Sequence, residues 1–407
     1  MDLHLKKSVC KLNSEIVITG SKSETNRLLL LQALYSNLKL ENTSNSDDSI
    51  VMIAALSSNE NVIDIHHAGT AMRFLTAYFA TQNNRVVILT GSSRMKERPI
   101  KILVDALKQL GASIEYLENE GFPPIKIYGK QITQNKVTIN ANVSSQYISA
   151  LLLIAPKLEN GLELVLDGEI TSIPYIKMTL SLLNQLDIET TFTGNKITVF
   201  PVSEIENKII TVESDWSSAS YFYSIVALSK IGTEIKLTSY KQNSLQGDSI
   251  LTSIYEQFGV ETVFENNQII LKKIKNHSFS WVEIDLNNSP DIAQTIAVTC
   301  FGLGIGCHLV GLHTLKIKET DRLKALHIEL KKLGATLEVT NFSLTLKKSE
   351  KVISGVKIST YQDHRMAMAF APLALITPLN IENPEVVSKS FPTFWKELEK
   401  VGFLVNL

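Results

Sequence analysis

The chain has 407 residues, enough for two or three domains of ordinary size, and its 44% apolar and 20% charged residues are a globular composition. Lys and Arg number 40 against 41 Asp and Glu, a formal net charge of −1, so no basic excess marks the chain for nucleic acid or an anionic membrane. The N-terminal MDLHLKKSVC lacks an apolar signal core, and the longest apolar stretch, Ile292 to Leu312, is broken by Gln294 and His308 and becomes glycine-rich; a soluble cytoplasmic protein with no membrane span is expected.

A first strand is expected around Leu3 to Lys11. After it, one kind of segment recurs. It opens on a polar turn and runs into an almost wholly apolar helix: SKSETNRLLLLQAL from Ser21, AGTAMRFLTAYFA from Ala68 and SSQYISALLLIAP from Ser144. The same kind returns as DWSSASYFYSIVAL from Asp215, SPDIAQTIAVTCFG from Ser289 and DHRMAMAFAPLAL from Asp363. Helices apolar on nearly all sides are buried ones. Between them lies an amphipathic helix that leads into a strand, starting at Asp48, Arg98, Pro174, Asp248, Thr320 and Phe391. In four copies a glycine follows this helix (Gly111, Gly259, Gly334, Gly402), where a left-handed cap belongs. Alternating residues come next, as in ATLEVT, the pattern of a half-buried strand.

The unit therefore recurs six times, mostly about 70 to 76 residues apart, as in a stacked repeat architecture. Three units precede residue 214 and three follow it. The expectation is two similar α/β domains with a cleft between them: an inserted domain of residues 20–214, and a discontinuous one of residues 1–19 plus 215–407, to whose sheet the first strand belongs. Cys10, Cys300 and Cys307 form no ligand spacing, so reduced thiols and no metal are expected.

The charged chemistry sits at the helix starts. A helix N-terminus offers free N–H groups and the positive end of the dipole, a ready site for anions. Lys22, Ser23 and Arg27 surround the first such start. Arg94, Lys96 and Arg98 precede a helix with Pro99 in its first turn, and Lys318 and Arg322 flank Glu319 and Asp321. Arg365 opens an apolar helix, where its charge cannot turn inward cheaply, and Lys389 precedes Phe391-Pro392. Such a set of cations repels itself unless ligands carry several negative charges, and arginine's planar fork matches carboxylate and phosphate. The acids Asp291, Glu319 and Asp363 in the same turns either hold these arginines in place or move protons and bind hydroxyls. No glycine-rich nucleotide loop is present.

The stretches GSKSETNRLLLLQAL, AGTAMR, LTGSSRMKERPI, VSSQYISALL, KETDRL, DHRMAMAF and KSFPTFW, in that order along nearly the whole chain, resemble the enolpyruvyl-transferase family, in particular its branch that acts on shikimate 3-phosphate. The resemblance implies the two-domain enolpyruvyl-transferase fold (an inverse α/β barrel), each domain three repeated α/β units, with the active site in the inter-domain cleft. It implies reaction of phosphoenolpyruvate with shikimate 3-phosphate through a tetrahedral adduct, without metal or organic cofactor, in a monomer. By the same resemblance Lys22 meets both substrates, and Ser23 and Arg27 hold the shikimate carboxylate. Ser144, Ser145 and Ser172 take the 3-phosphate beside Gln146 and Tyr175. Asp291 and Lys318 hold the shikimate hydroxyls, with Thr314 nearby. Gly69, Arg98, Gln146, Arg322, Arg365 and Lys389 surround phosphoenolpyruvate. Lys22, Asp291 and Glu319 are the expected catalytic groups: Glu319 and Lys22 for the proton moves at C3, Asp291 for the 5-hydroxyl.

Three positions depart from the pattern: His67 and Thr314 stand where the family has Asn, and Phe74 where it has Pro. Two rival readings share much of this site. One is the enolpyruvyl transferase acting on UDP-N-acetylglucosamine, which uses a loop cysteine, whereas Thr90 to Pro99 has none here. The other is a non-catalytic anion-binding relative.

Overall fold

A computed structural model describes residues 2–141, 144–168, 170 and 173–406. The chain divides into two compact units, Gly20–Val212 and the pair Met1–Thr19 with Glu213–Leu407.

In the unit Gly20–Val212 three apolar helices, Lys22–Leu34, Gly69–Ala80 and Ser145–Ile154, pack against one another. Gly69–Ala80 and Ser145–Ile154 are buried along almost their whole length, as helices without a polar face must be. The amphipathic helices Asp47–Ser57, Lys101–Gln109 and Ile173–Asn184 alternate with them along the chain. The other unit repeats the plan. Trp216–Leu228, Ala293–Leu303 and His364–Phe370 are its buried helices, and Leu251–Gln257, Arg322–Lys332 and Phe394–Lys400 its amphipathic ones. Hydroxyls tie the helices of this unit together: Tyr255 Oη lies 2.8 Å from Thr299 Oγ1, which donates to Ser224 Oγ at 2.8 Å.

The strands show the repeat most plainly. Val62–Asp64 pairs in parallel with Val86–Thr90, which pairs antiparallel with Ile125–Tyr128, which in turn pairs antiparallel with Ser113–Tyr116. The same sequence of one parallel and two antiparallel pairings recurs in the sheets built on Lys136–Asn140, Asn13–Ile16 and Trp281–Asp285. The first strand, Asp2–Leu5, lies between Leu379–Glu382 and Val405–Asn406, so both ends of the chain share one sheet. Among the described residues the strands form six separate sheets, and none closes on itself.

Gly111, Gly259, Gly334 and Gly402 all have positive φ (80–107°), the left-handed cap that ends each amphipathic helix before its strand. The Ile292 to Leu312 stretch is a buried helix to Leu303, a left-handed Gly304 and a strand from Gly306 to Val310. No helix among the described residues is long and apolar enough to cross a membrane.

Candidate active site

Each unit gathers charged residues at or near the N-terminal turns of its helices. In Gly20–Val212 the start of Lys22–Leu34 places Lys22 Nζ 3.8 Å from Asp48 Oδ2. Arg27, one turn on, is buried. Its Nε donates to Thr179 Oγ1 at 2.8 Å, Nη1 to the Ser23 carbonyl at 2.7 Å and Nη2 to Ser149 Oγ at 2.9 Å. These partners are neutral, and burial pushes the guanidinium down to about 10. Its flat face lies 5.5 Å from the centre of the Phe74 ring and 5.9 Å from that of Tyr175, so Phe74 supplies a cation–π face where Pro has none.

At the start of the next buried helix, Gly69 faces the Arg98 guanidinium so closely that a Cβ there would lie 2.4 Å from Arg98 Nη1. Arg73 braces this arrangement from beneath. Its Nη1 donates to the Gly69 carbonyl at 3.0 Å and its Nη2 to the Pro99 carbonyl at 3.1 Å, while Tyr147 Oη donates to the same Pro99 carbonyl at 2.6 Å. Burial, and then the charge of Arg98, push Arg73 down to about 10. Ser144 caps the third buried helix, accepting from the Gln146 N–H at 3.4 Å, and Gln146 Nε2 donates to Thr70 Oγ1 at 3.1 Å. This bond brings the starts of the second and third buried helices together. Ser145 is buried beside it. Ser172 lies outside the described residues. His67 Nε2 sits 3.7 Å from Asp47 Oδ2.

The other unit concentrates acids and bases in one network. Arg322, only 2% exposed, donates from all three nitrogens to carboxylates at 2.7 Å: Nε to Asp363, Nη1 to Asp291 and Nη2 to Glu319. Burial alone would push this guanidinium down; Asp363, Glu319 and Asp291 outweigh it and hold it above its ordinary value. Asp291 also receives Lys318 at 3.4 Å and Arg365 at 3.4 Å. Burial opposes its ionisation, but Lys318, Arg365 and Arg322 hold the carboxyl well below the usual carboxylate range. Asp363 caps its helix by accepting from the Arg365 N–H at 2.9 Å. Lys389 Nζ donates to the Gln362 carbonyl at 2.7 Å, and the Thr314 hydroxyl is buried with no partner among the described residues. The three acids thus hold Arg322, one of the two roles the sequence leaves open for them. Glu319 is a third exposed and Asp291 less so.

An arrangement of this kind recognises small polyanions: fixed cations at helix starts, with ionised carboxylates among them that accept from hydroxyls. As site residues the sequence pattern missed Asp48, Arg73 and Ser217, which touch Lys22, Gly69 and Arg365, and Asp248, which reaches Arg365 through Ser217. A family model described as EPSP synthase (3-phosphoshikimate 1-carboxyvinyltransferase) matches residues 37–398. The chain belongs to that family. Its relatives include proteins named 3-phosphoshikimate 1-carboxyvinyltransferase from Bacteroides fragilis (strain YCH46), 45% identical over 408 residues and 99% of each chain, and from Haemophilus influenzae (strain Rd), 36% identical over 425 residues, 95% of this chain and 96% of the relative. The fold matches that of a solved EPSP synthase structure from Acinetobacter baumannii, with a TM-score of 0.83 over 100% of both chains at 20% identity. Membership of this family sets aside the reading in which UDP-N-acetylglucosamine is the acceptor.

Proposed function

We propose that the chain transfers the enolpyruvyl group of phosphoenolpyruvate to the 5-hydroxyl of shikimate 3-phosphate, giving 5-enolpyruvylshikimate 3-phosphate and phosphate. The 5-oxygen attacks C2 as its proton leaves, and C3 gains a proton to become a methyl group. The tetrahedral adduct then breaks its C2–phosphate bond while C3 returns a proton. The observation that carries the reading is the Asp291–Arg322–Glu319–Asp363 network with Lys318 and Arg365 at its edge, because it sets ionised acceptors among fixed cations.

Asp291, held ionised by three cations, accepts from the 5-hydroxyl beside Lys318. A carboxylate held that far down is a firm acceptor and a weak base, so it orients the hydroxyl and leaves net proton removal to a second group. Glu319 and Lys22 serve C3; both are partly exposed, so a substrate can reach them. Arg98 against Gly69, with Arg322, Arg365, Lys389 and Gln146, takes phosphoenolpyruvate. Ser23, Arg27, Ser144, Ser145, Ser172, Tyr175 and Thr314 join Lys22 on shikimate 3-phosphate. Arg27 has neutral protein partners for every nitrogen, so a ligand carboxylate would supply the counter-charge its burial lacks. The acid–base chemistry is the chain's own, in a soluble monomer in the cytoplasm.

Glu319→Gln tests the proton assignment. It keeps the size and one acceptor for Arg322 and removes the base. Phosphate release should fall about 10²- to 10⁴-fold, and exchange of solvent deuterium into C3 of phosphoenolpyruvate should fall with it. Near-normal turnover with normal exchange would remove Glu319 from the role.

A further inference from the structure

Asp248 lies in a one-turn 3₁₀ segment, Gly247–Ile250, at the foot of the Leu251–Gln257 helix, and is partly buried. Among the described residues no cation pairs with it directly. Its Oδ2 accepts from Ser217 Oγ, and Ser217 Oγ in turn accepts from Arg365 Nη2 at 3.3 Å. Arg365 Nη2 also lies 3.4 Å from Asp291 Oδ2, and Arg365 Nε is buried with no protein partner among the described residues. A guanidinium with one edge held and one buried N–H unanswered is set for a ligand atom.

We propose that Asp248 is a positioning residue for the reaction: through Ser217 it aims the Arg365 guanidinium at an incoming anion, and its own charge state sets how strongly that anion is held. The inference rests on the reading under Proposed function for the anion's name, phosphoenolpyruvate, and on the geometry alone for the link.

The charged groups that face Asp248 are Asp291 from the turn before Ala293–Leu303, Arg365 from the start of His364–Phe370 and Asp215, the cap of Trp216–Leu228. Burial first, and then Asp291, raise the carboxyl to about 6, against the pull of Arg365 and Ser217. Below about pH 6 Asp248 is neutral and donates to Ser217, whose own proton is then free to turn towards the ligand. Above it Asp248 is ionised, draws the Ser217 proton to itself and competes with the ligand for the charge of Arg365. Anion affinity therefore falls as pH rises through about 6. By reciprocity, anion binding raises the Asp248 pKa and takes up a proton.

The test compares KM for phosphoenolpyruvate at pH 5.5 and 7.5 in the unaltered chain, Asp248→Asn and Asp248→Ala. The phosphate group of the substrate titrates in this range too, but its contribution is the same in every variant and cancels in the comparison. The unaltered chain should lose affinity between the two pH values about tenfold more than Asp248→Asn does. Asp248→Asn should keep the low-pH KM, whereas Asp248→Ala, which leaves Ser217 without its acceptor, should raise KM at both. The effect should fall on KM more than on kcat. Identical pH profiles for the unaltered chain and Asp248→Asn would overturn the proposal. Should either variant fail to fold, Ser217→Ala breaks the same link from its other end; it should flatten the pH dependence of KM as Asp248→Asn does, and a profile like that of the unaltered chain would overturn the proposal equally. Calorimetric titration with inorganic phosphate repeats the comparison without turnover. Proton uptake on binding should be larger in the unaltered chain than in Asp248→Asn, so failure of the reaction and failure of the inference are told apart.

Discussion

Gly69 shows how one missing carbon can decide where a charged side chain lies. Its position at a helix start lets the Arg98 guanidinium lie where a Cβ would come within 2.4 Å of Nη1. Non-bonded atoms do not approach that closely, so Gly69→Ala must displace Arg98, while Arg73 still holds the Gly69 and Pro99 carbonyls on either side. The expected outcome is a rise of about tenfold or more in KM for phosphoenolpyruvate, with a smaller fall in kcat, because an arginine that binds ground and transition states alike has been moved. Steady-state kinetics check this, and an unchanged KM would show that Arg98 does not meet that substrate. Arg322 illustrates the opposite design. It is surrounded by three carboxylates and held rigidly, and fixed charges need no reorganisation when a substrate's own charge develops. At this scale the sequence was only partly legible. It placed Arg322, Asp291, Glu319 and Asp363 in polar turns, but nothing in their spacing says that acids at 291, 319 and 363 converge on one guanidinium. Arg73 was harder still, because it sits inside an apolar helix where the pattern reads only burial.

The helices are the scale at which the site is built. Most of the charged groups of both networks lie at or near helix starts, those of buried and of amphipathic helices alike. Asp321 caps the Arg322–Lys332 helix by accepting from the Lys324 N–H at 3.1 Å. Asp321→Ala should cost about 1 kcal/mol of stability, read as a fall of about 2–4 °C in melting temperature. KM should change little, because Asp291 and Asp363 hold Arg322 from other elements. A large KM effect without loss of stability would mean that Asp321 itself meets a substrate. The helices were the most legible elements, since six apolar runs and four cap glycines mark their starts and ends. The sheets were less so. Each strand's alternation shows that it is half-buried, while the choice of one parallel and two antiparallel partners depends on crossovers that local pattern does not encode. Asp248 was read as the opening of an amphipathic helix, which it precedes; its reach to Ser217 is a tertiary fact.

For the molecule as a whole, the repeat explains why clusters of cations arise more than once in a chain of net charge −1. Each unit turns three buried helices into three N-terminal turns, and each turn can hold a charge that the balanced total conceals. Both units keep this plan with different residues: one sets largely neutral partners around Arg27, the other packs carboxylates around Arg322. Neither set alone accounts for a reaction that needs anion recognition and proton movement together. The most direct measurement is phosphate release from phosphoenolpyruvate by the purified chain, with and without shikimate 3-phosphate. The account predicts release that depends on shikimate 3-phosphate and saturates with both substrates. No release, or release indifferent to shikimate 3-phosphate, would contradict it.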